Sequence, residues 1–171
     1  MSNVVLLHPD IEDKIDMDVR AFKDDIIVPA LRTVGMWSLS AEQLLLGTAL
    51  AESNLNFVKQ IGGGGAMSFF QIEKATYLDI MRYLRRSDNK GLKDRIMTAC
   101  YIEVFPEPTA MIWNMRLACL MARVKYLMVP EPLPLPYDID GFAQYWKRYY
   151  NTKEGKGTVE HYIKSWRARG L

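Results

Sequence analysis

Glu52 is the carboxylate whose position in the sequence points most directly to chemistry. Leu45, Thr48 and Ala49 lie seven, four and three residues before it, and these positions share one face of an α-helix. Glu52 therefore extends an apolar stripe at the C-terminal end of its predicted helix, where burial and the helix dipole should raise the pKa of its carboxyl. A carboxyl that keeps its proton near neutral pH suits general acid catalysis. Spacing alone gives more weight to the alternative, a helix-end glutamate that reaches water.

A run of four consecutive glycines, residues 62–65, follows Glu52 closely. Glycine permits positive φ angles and a close approach of the backbone to a ligand. A phosphate-binding loop is excluded, because no Lys-Ser or Lys-Thr pair follows the run and no strand precedes it. The sequence favours a loop that lets a bulky ligand approach the backbone, with a flexible turn as the simpler alternative.

The segments that must position these residues show helical periodicity along almost the whole chain. Apolar residues recur at helical spacing over residues 10–31, with a break or a restart of the helix predicted at Pro29. Ser40 and Gln43 fit a capping box that opens a helix ending near Ser53. The other predicted elements are helices over 71–84, 91–101, 109–128 with Thr109 as its cap, 141–150 and 158–169, and an extended proline-rich connector over 129–136. No strand series with a period of two occurs, so the predicted fold class is all-α.

Length and composition are those of one globular domain. The chain has 171 residues, of which 49% are hydrophobic and 25% charged, and this excludes disorder over most of its length. Cys100 and Cys119 lie in apolar surroundings and are predicted to be buried free thiols. Two cysteines and two distant histidines form no recognisable zinc site, so we expect neither a metal ion nor another cofactor.

Charge and hydropathy exclude two classes of partner. The net charge of +2 is too small to indicate a nucleic-acid partner, although residues from Lys147 onward are basic. Solvated helix faces explain that basic stretch more simply than attraction to a polyanion. No apolar stretch is long enough to span a bilayer, and residues 1–7 lack the basic start of a signal peptide. We therefore expect synthesis in a cytoplasm and no membrane insertion.

Three short blocks follow one another along the chain: Ala51-Glu52-Ser53-Asn54-Leu55, then residues 65–76, then Tyr149-Tyr150-Asn151 with Gly155-Lys156-Gly157. In this order and at this approximate spacing they resemble the signature of the lytic transglycosylases, a family related in fold to goose-type lysozyme. The residues of the second block that fit the family pattern G-A-x-G-L-M-Q-I-x-P-A-T are Gly65, Ala66, Gln71, Ile72, Ala75 and Thr76. The residues that depart from it are Ser68, Phe69, Phe70 and Lys74.

The resemblance implies one lysozyme-like domain over residues 1–171, with residues 1–36 as a helical extension packed on a catalytic core of residues 37–171. Such an enzyme cleaves the β-1,4 bond between N-acetylmuramic acid and N-acetylglucosamine in a peptidoglycan strand. Glu52 would give its proton to the glycosidic oxygen and then accept the proton of the C6 hydroxyl of the muramic acid, which closes a 1,6-anhydro ring. The implied substrate contacts are Ser53, Met67, Phe70, Gln71, Tyr150 and Asn151, with Tyr149 as the rival of Tyr150 and packing in the core as an equal alternative for Phe70. Trp113, Trp146 and Trp166 are predicted core residues that could instead stack on sugars.

Two alternatives stay open. A muramidase on the same scaffold would add water, and its second carboxylate would come from Glu73, Asp79 or Glu103. A virion or wall-binding protein would keep the fold without turnover.

The whole chain also resembles a group of small phage proteins that carry this domain, through residues 29–31, 44–49, 130–134 and 150–158. A phage source fits the lack of a signal peptide, because such an enzyme reaches the cell wall after release through a holin or inside a virion. We expect the host cytoplasm or the virion as its location and the bacterial periplasm as its site of action.

Overall fold

The computed structural model describes residues 17–59, 65–151 and 155–170, and this part of the chain is predominantly helical. Its elements are the α-helices α1 (Val19–Ala21), α2 (Val28–Thr33), α3 (Leu39–Ser53), α4 (Lys74–Leu84), α5 (Lys90–Ala99), α6 (Met115–Leu127), α7 (Ile139–Trp146) and α8 (Val159–Arg167), the π-helical segments Phe22–Ile27 and Lys147–Asn151, and the 3₁₀ turns Ser87–Asn89 and Pro108–Ile112. In these residues β-structure is limited to isolated bridges from Met67 to Lys59 and to Ile72. The prediction of an all-α fold is confirmed. The predicted start of the first helix, residues 10–16, and the glycines 62–64 lie outside the described residues.

The first helical stretch shows no break at Pro29, but a new α-helical element starts one residue before it, which agrees with the predicted restart. α1, the first π-helical segment and α2 follow one another without a gap. The amide of Val28 bonds to the carbonyl of Lys23, five residues back, and Pro29 occupies the first turn of α2. A proline is tolerated in a first turn because its fixed φ suits a helix, and the π-helical bonding just before it marks the change in the hydrogen-bond pattern.

The start of α3 also differs from the prediction. Ser38, and not Ser40, is the N-cap, and its Oγ accepts a hydrogen bond from the amide of Ala41 at 3.1 Å. Ser38 has the extended backbone that an N-cap requires. In the predicted capping box, the Gln43 side chain would bond to the backbone at the start of its own helix. Its Oε1 accepts instead a hydrogen bond from the amide of Tyr137 at 2.8 Å. A contact with a distant segment thus replaces the local one.

The long helix predicted to start at Thr109 is divided. A 3₁₀ turn covers Pro108–Ile112, and α6 begins only at Met115. Its N-cap is Asn114, whose side-chain oxygen accepts from the amide of Leu117 at 2.9 Å. Asn114 is the better cap because its backbone is not helical and can close the first turn.

The C-terminal part follows the sequence more closely. The connector over residues 129–136 is not helical, as predicted. Thr158 caps α8, and its Oγ1 accepts from the amide of His161 at 3.1 Å. The helix predicted over 141–150 is found as α7 and the π-helical segment that continues it.

α3 is the central helix of the core. It packs against α6, α7 and α8, and every residue from position 44 to position 51 is buried. Such all-round burial is typical of a helix in the middle of a core, whereas the sequence predicted one apolar face. Buried side chains from Phe22 to Trp166 form one connected cluster around it. The end of α3 is therefore firmly positioned by the helices that surround it.

Cys100 and Cys119 are buried free thiols, as predicted. Burial raises the pKa of the Cys100 thiol to about 11, so this thiol stays protonated and unreactive at neutral pH. In the described ranges, no helix combines the length and the apolar character that crossing a membrane requires.

Thr48 forms a buried polar link between α3 and α6. Its hydroxyl lies 2.7 Å from the carbonyl oxygen of Leu44 and 2.7 Å from the hydroxyl of Tyr126. Since the carbonyl can only accept, the single proton of Thr48 goes to Leu44 and the Tyr126 hydroxyl is the donor in the second bond. Both side chains are almost completely buried, so neither hydroxyl has water as a substitute partner.

Thr48→Val should therefore destabilise the fold by leaving the Tyr126 hydroxyl unpaired. We expect the free energy of unfolding to fall by about 1–3 kcal/mol, the usual cost of an unsatisfied buried polar group. Thr98→Val is the matched control, because Thr98 makes the same bond to the carbonyl four residues back, at 3.0 Å, on an exposed position. Its effect should stay within about 0.5 kcal/mol. Urea unfolding measures both variants, and equal losses would contradict the assignment.

Candidate functional site

Glu52 lies in the last turn of α3, which ends because Asn54 adopts a left-handed conformation with φ 49°. The apolar stripe predicted on the same face is buried. The Glu52 side chain is itself partly buried, and its Oε1 accepts a hydrogen bond at 2.9 Å from the indole N–H of Trp146 on α7. The carboxyl is thus held at the edge of the core with one oxygen fixed.

Burial raises the pKa of the Glu52 carboxyl above its ordinary value, in the direction that the sequence predicts. Four groups act in the opposite sense. Trp146 and Asn151 lower this pKa through hydrogen bonds, and Lys125 and His161 lower it electrostatically. The loss of solvent outweighs them, so Glu52 keeps its proton to a higher pH than an exposed glutamate does. This is the property that a general acid needs.

Glu52 lines a cleft of about 630 Å³, within the range of roughly 300–1,000 Å³ that is usual for small-ligand sites. Residues of α3, α4, α6, α7 and α8 and of the segments between them form its walls. The polar side chains on these walls are Glu52, Gln71, Glu73, Thr76, Lys125, Asn151, Lys156 and His161, and the aromatic ones are Phe57, Trp146 and Tyr150. The cleft therefore combines charges of both signs, hydrogen-bonding groups and aromatic surface.

Residues 66–72 form a tight turn that contributes to one wall, and α4 begins at Lys74, three residues after the start that the sequence predicts. Met67 and Ile72 exchange two backbone hydrogen bonds, of 3.0 and 2.8 Å. Ser68 and Gln71 adopt positive φ angles of 66° and 47°, which close the turn. The Gln71 side chain lines the cleft, and its Nε2 donates to the carbonyl of Ser68 at 2.7 Å.

Ser53 holds this turn onto the end of α3. Its Oγ lies 2.8 Å from the carbonyl oxygen of Phe69 and 3.1 Å from that of Ala49, and it accepts from the amide of Leu55 at 3.2 Å. The residue is only 2% exposed, so its hydroxyl is used inside the protein. The predicted substrate contact of Ser53 is therefore replaced by a role in positioning the backbone next to Glu52.

Phe70 and Met67, named as groove residues, lie in the core, which for Phe70 is the alternative that the sequence left open. The Phe70 ring is 1% exposed and packs against Phe22 with the ring centroids 5.9 Å apart. Met67 belongs to the same buried cluster. Both side chains bury more apolar area in the core than they would on a cleft wall. Phe70 still contributes through its backbone, because its carbonyl accepts a hydrogen bond from the hydroxyl of Tyr150 at 2.8 Å.

Tyr150 and Asn151 reach the cleft together, from the π-helical segment that continues α7. Oδ1 of Asn151 accepts a hydrogen bond from Lys147 at 2.8 Å, which leaves the amide nitrogen to donate to Glu52. Tyr149, the predicted rival of Tyr150, packs instead against another tyrosine of α7 with the ring centroids 4.7 Å apart. Tyr150 is thus the tyrosine of the cleft.

Gly155 and Gly157 are required by close packing on the same side chains. A Cβ atom at position 155 would lie 2.2 Å from the carbonyl oxygen of Asn151, and one at position 157 would lie 2.5 Å from the ring of Trp146. No larger residue fits at either place without displacing its neighbour. The Gly-Lys-Gly triplet therefore lets the chain pass directly over two of the hydrogen-bond donors of Glu52.

Lys125 is a cleft residue that the sequence analysis missed. Its Nζ donates to the carbonyl of Tyr150 at 2.8 Å and lies 3.7 Å from the centroid of the Tyr150 ring. A signal for it exists, because Ala118 and Met121 lie seven and four residues earlier and both are buried. Buried residues at helical spacing thus lead to Lys125 on α6, as they lead to Glu52 on α3.

His161 and Trp146 owe their places to tertiary packing. Nε2 of His161 lies 2.8 Å from the carbonyl oxygen of Ala51, so this nitrogen carries the proton and covers the end of α3. Trp146 is 1% exposed, as a core residue should be, and its N–H is nonetheless directed at Glu52. No local sequence pattern predicts the contact of His161 with Ala51 or that of Trp146 with Glu52.

A second carboxylate lines the cleft. Glu73 is the exposed residue that precedes α4, and it is the candidate among the three named from the sequence that reaches the cleft. Among residues 17–59, 65–151 and 155–170, no group of three His, Cys, Asp or Glu side chains is arranged to hold a metal ion.

Comparisons of the chain with protein-family models, with curated proteins and with solved structures find no match. The chemistry of the cleft and the sequence blocks around Glu52 are therefore the grounds on which a function can be proposed.

Trp146→Phe removes the N–H that bonds to Glu52 and keeps an aromatic ring in the core. Because this bond lowers the pKa of Glu52, its loss should raise that pKa further. An NMR titration of the Glu52 carboxyl carbon measures the change. Trp37→Phe is the matched control, since Trp37 donates to Glu42 in the same way, at 2.9 Å, outside the cleft. An equal shift in both variants, or a lower Glu52 pKa in Trp146→Phe, would contradict the expected effect.

Proposed function

We propose that the chain cleaves the glycan strands of peptidoglycan as a lytic transglycosylase with a lysozyme-like fold. The observation that carries this proposal is the partly buried Glu52 carboxyl, whose pKa is raised by burial and which lines an open cleft. Gln71, Tyr150 and Asn151, which belong to the other two sequence blocks, line the same cleft. Residues from distant parts of the chain thus surround the one side chain that the resemblance makes the acid.

In the proposed first step, Glu52 gives its proton to the glycosidic oxygen and the bond to the leaving N-acetylglucosamine breaks. Positive charge develops on the ring of the muramic acid. The carboxylate that remains is stabilised by the hydrogen bonds from Trp146 and Asn151, which are stronger to a charged acceptor.

In the proposed second step, the Glu52 carboxylate takes the proton of the C6 hydroxyl of the muramic acid. The oxygen of that hydroxyl attacks C1 of the same sugar and closes the 1,6-anhydro ring. Glu52 ends the cycle protonated, as it began, and no water is consumed. One carboxylate in two successive roles is therefore sufficient.

The walls of the cleft suit an aminosugar polymer. Gln71 and Asn151 offer amide groups and Phe57 offers aromatic surface beside them, whereas the Tyr150 ring is largely buried. Mixed polar and aromatic walls of this kind orient a ligand through a few hydrogen bonds while its rings pack on apolar surface. For access to the wall in the periplasm, we propose release through a phage holin or transport inside a virion.

A muramidase is the second candidate, because Glu73 lines the same cleft as Glu52. A hydrolase needs a second carboxylate that activates water or attacks the sugar. Asp79 and Glu103 are not among the cleft residues, and Asp79 is paired with Arg82. The two candidate reactions differ in their product, which carries a 1,6-anhydro ring in one case and a reducing end in the other.

Glu52→Gln tests the proposed acid, because glutamine keeps the size of the side chain and has no acidic proton. We expect the release of 1,6-anhydromuropeptides from purified sacculi, followed by mass spectrometry, to fall about 10²- to 10⁴-fold. Glu103→Gln is the control, since Glu103 is exposed and lies outside the cleft, and it should keep full activity. Equal release by wild type and Glu52→Gln, or release by neither, would end the enzymatic proposal in favour of a wall-binding protein.

Glu73→Gln separates the two candidate reactions. If the C6 hydroxyl is the nucleophile, this variant should still form the anhydro product, because no carboxylate other than Glu52 handles a proton. Loss of turnover in Glu73→Gln, together with reducing-end muramic acid as the wild-type product, would favour the muramidase.

A further inference from the structure

Lys125 has no part in the two proposed steps, although its ammonium lies in the cleft. Its Nζ is fixed from two sides, by the carbonyl oxygen of Tyr150 at 2.8 Å and by the ring of the same residue at 3.7 Å from its centroid. The side chain shares the cleft wall with Glu52 and Glu73. A lysine is seldom buried to this degree without a reason, because removing an ammonium from water is costly.

We propose that Lys125 is a positioning residue for Glu52: its ammonium, anchored on Tyr150, supplies the fixed positive charge that makes the carboxylate form of Glu52 attainable in a partly buried site. Burial favours the protonated form, which serves only the first of the two proposed steps. The second step needs Glu52 as a base, and a nearby cation lowers the free energy of that charged state.

Lys125 makes no contact ion pair with Glu52, and this suits the proposed role. Within the described residues, no carboxylate lies within the 4.0 Å of an ion pair with its Nζ. A contact ion pair would hold Glu52 ionised and remove its proton before the first step. A cation in the same cleft that does not touch the carboxylate supports its charged form without making that form permanent.

Among the other groups that face Glu52, His161 also lowers its pKa electrostatically, and the remaining ones carry no positive charge that acts on it. Trp146 from α7 and Asn151 from the π-helical segment are neutral donors, and Glu73 at the start of α4 is negative. His161 on α8 is exposed and directs Nε2 to a backbone carbonyl. Lys156 lines the cleft but is not among the groups that shift Glu52. Lys125 is thus the lysine within the described residues whose charge Glu52 senses.

The coupling is reciprocal, and it sets a pH window. Burial lowers the pKa of Lys125 to about 8, although Glu52 and Glu73 both act to raise it. The ammonium is therefore charged at neutral pH, and the support it gives to the Glu52 carboxylate is lost as the pH rises through about 8.

The test replaces Lys125 and follows the Glu52 carboxyl carbon by NMR, with no need for turnover. In Lys125→Met we expect the Glu52 titration to move to higher pH, whereas Lys125→Arg, which keeps the charge, should stay near wild type. Lys156→Met is the matched control, a lysine removed from the same cleft, and it should leave the titration in place. Far-UV circular dichroism establishes that each variant is folded.

The role in turnover rests on the proposed function, whereas the effect on the titration does not. If sacculi are cleaved, Lys125→Met should lower kcat with KM nearly unchanged and should shift the alkaline limb of the pH–rate profile with the Glu52 titration. A wild type that cleaves nothing would end the proposed function and leave the titration result standing.

Two outcomes would overturn the inference. One is a folded Lys125→Met variant in which Glu52 titrates at the wild-type pH or below it, or in which Lys125→Arg moves the titration as far as methionine does. The other outcome comes from measuring the pKa of Lys125 in a Glu52 variant. This measurement also tests the coupling if Lys125→Met fails to fold. In Glu52→Gln the pKa of Lys125 should drop below its value of about 8, and an unchanged pKa would show that the two groups are not coupled.

Discussion

The site depends on one carboxyl group that is partly withdrawn from water and still surrounded by donors. Desolvation stabilises the neutral form of Glu52, and the Trp146 indole, the Asn151 amide and the Lys125 ammonium stabilise the charged form. For the proposed acid and base roles of Glu52, neither influence alone would suffice, because a fully solvated glutamate loses its proton too early and an isolated buried one resists becoming a base. The surroundings of Glu52 keep both protonation states within reach.

The fold supplies this balance through rigidity. α3 is enclosed by other helices along its length, so its last turn cannot shift. The Ser53 hydroxyl ties the turn over residues 66–72 to that end of the helix, and the Tyr150 hydroxyl ties the same turn to the segment after α7. Each of these bonds joins parts of the chain that are distant in sequence. The donors around Glu52 are therefore held in place before any ligand arrives, which is the condition for electrostatic stabilisation without reorganisation.

Much of the fold and part of the site could be predicted from the sequence. Helical spacing was enough for the fold class and for the burial of the face that leads to Glu52, because both follow from local periodicity. Gln71, Tyr150 and Asn151, which belong to the other two sequence blocks, line the same cleft as Glu52. The wrong predictions concerned places where two local arrangements were about equally favourable. Ser38 and Ser40 are both plausible caps, and a distant contact of Gln43 removed the support for the second.

The residues that the sequence analysis misassigned share a physical reason. Phe70 and Met67 were expected in the groove, but these apolar side chains lose more contact with water when they pack in the core. Lys125 was overlooked because a lysine is ordinarily solvated. Only its place on the same helix face as the buried residues Ala118 and Met121 indicates that its side chain points away from bulk water. Side-chain partners across the cleft are set by tertiary packing, which periodicity does not report.

The π-helical segment after α7 constrains the number of residues that the chain can have at this point. In an α-helix, positions four residues apart share a face, whereas the fifth position is turned away by roughly another 100°. Where the hydrogen bonds span five residues, the fourth and fifth positions after Trp146 both stay on its side, and these positions are Tyr150 and Asn151. Deletion of a single amino acid here would restore a regular helix and rotate one of the two away from the acid. Related chains should therefore vary in composition along this stretch more freely than in the number of residues it contains.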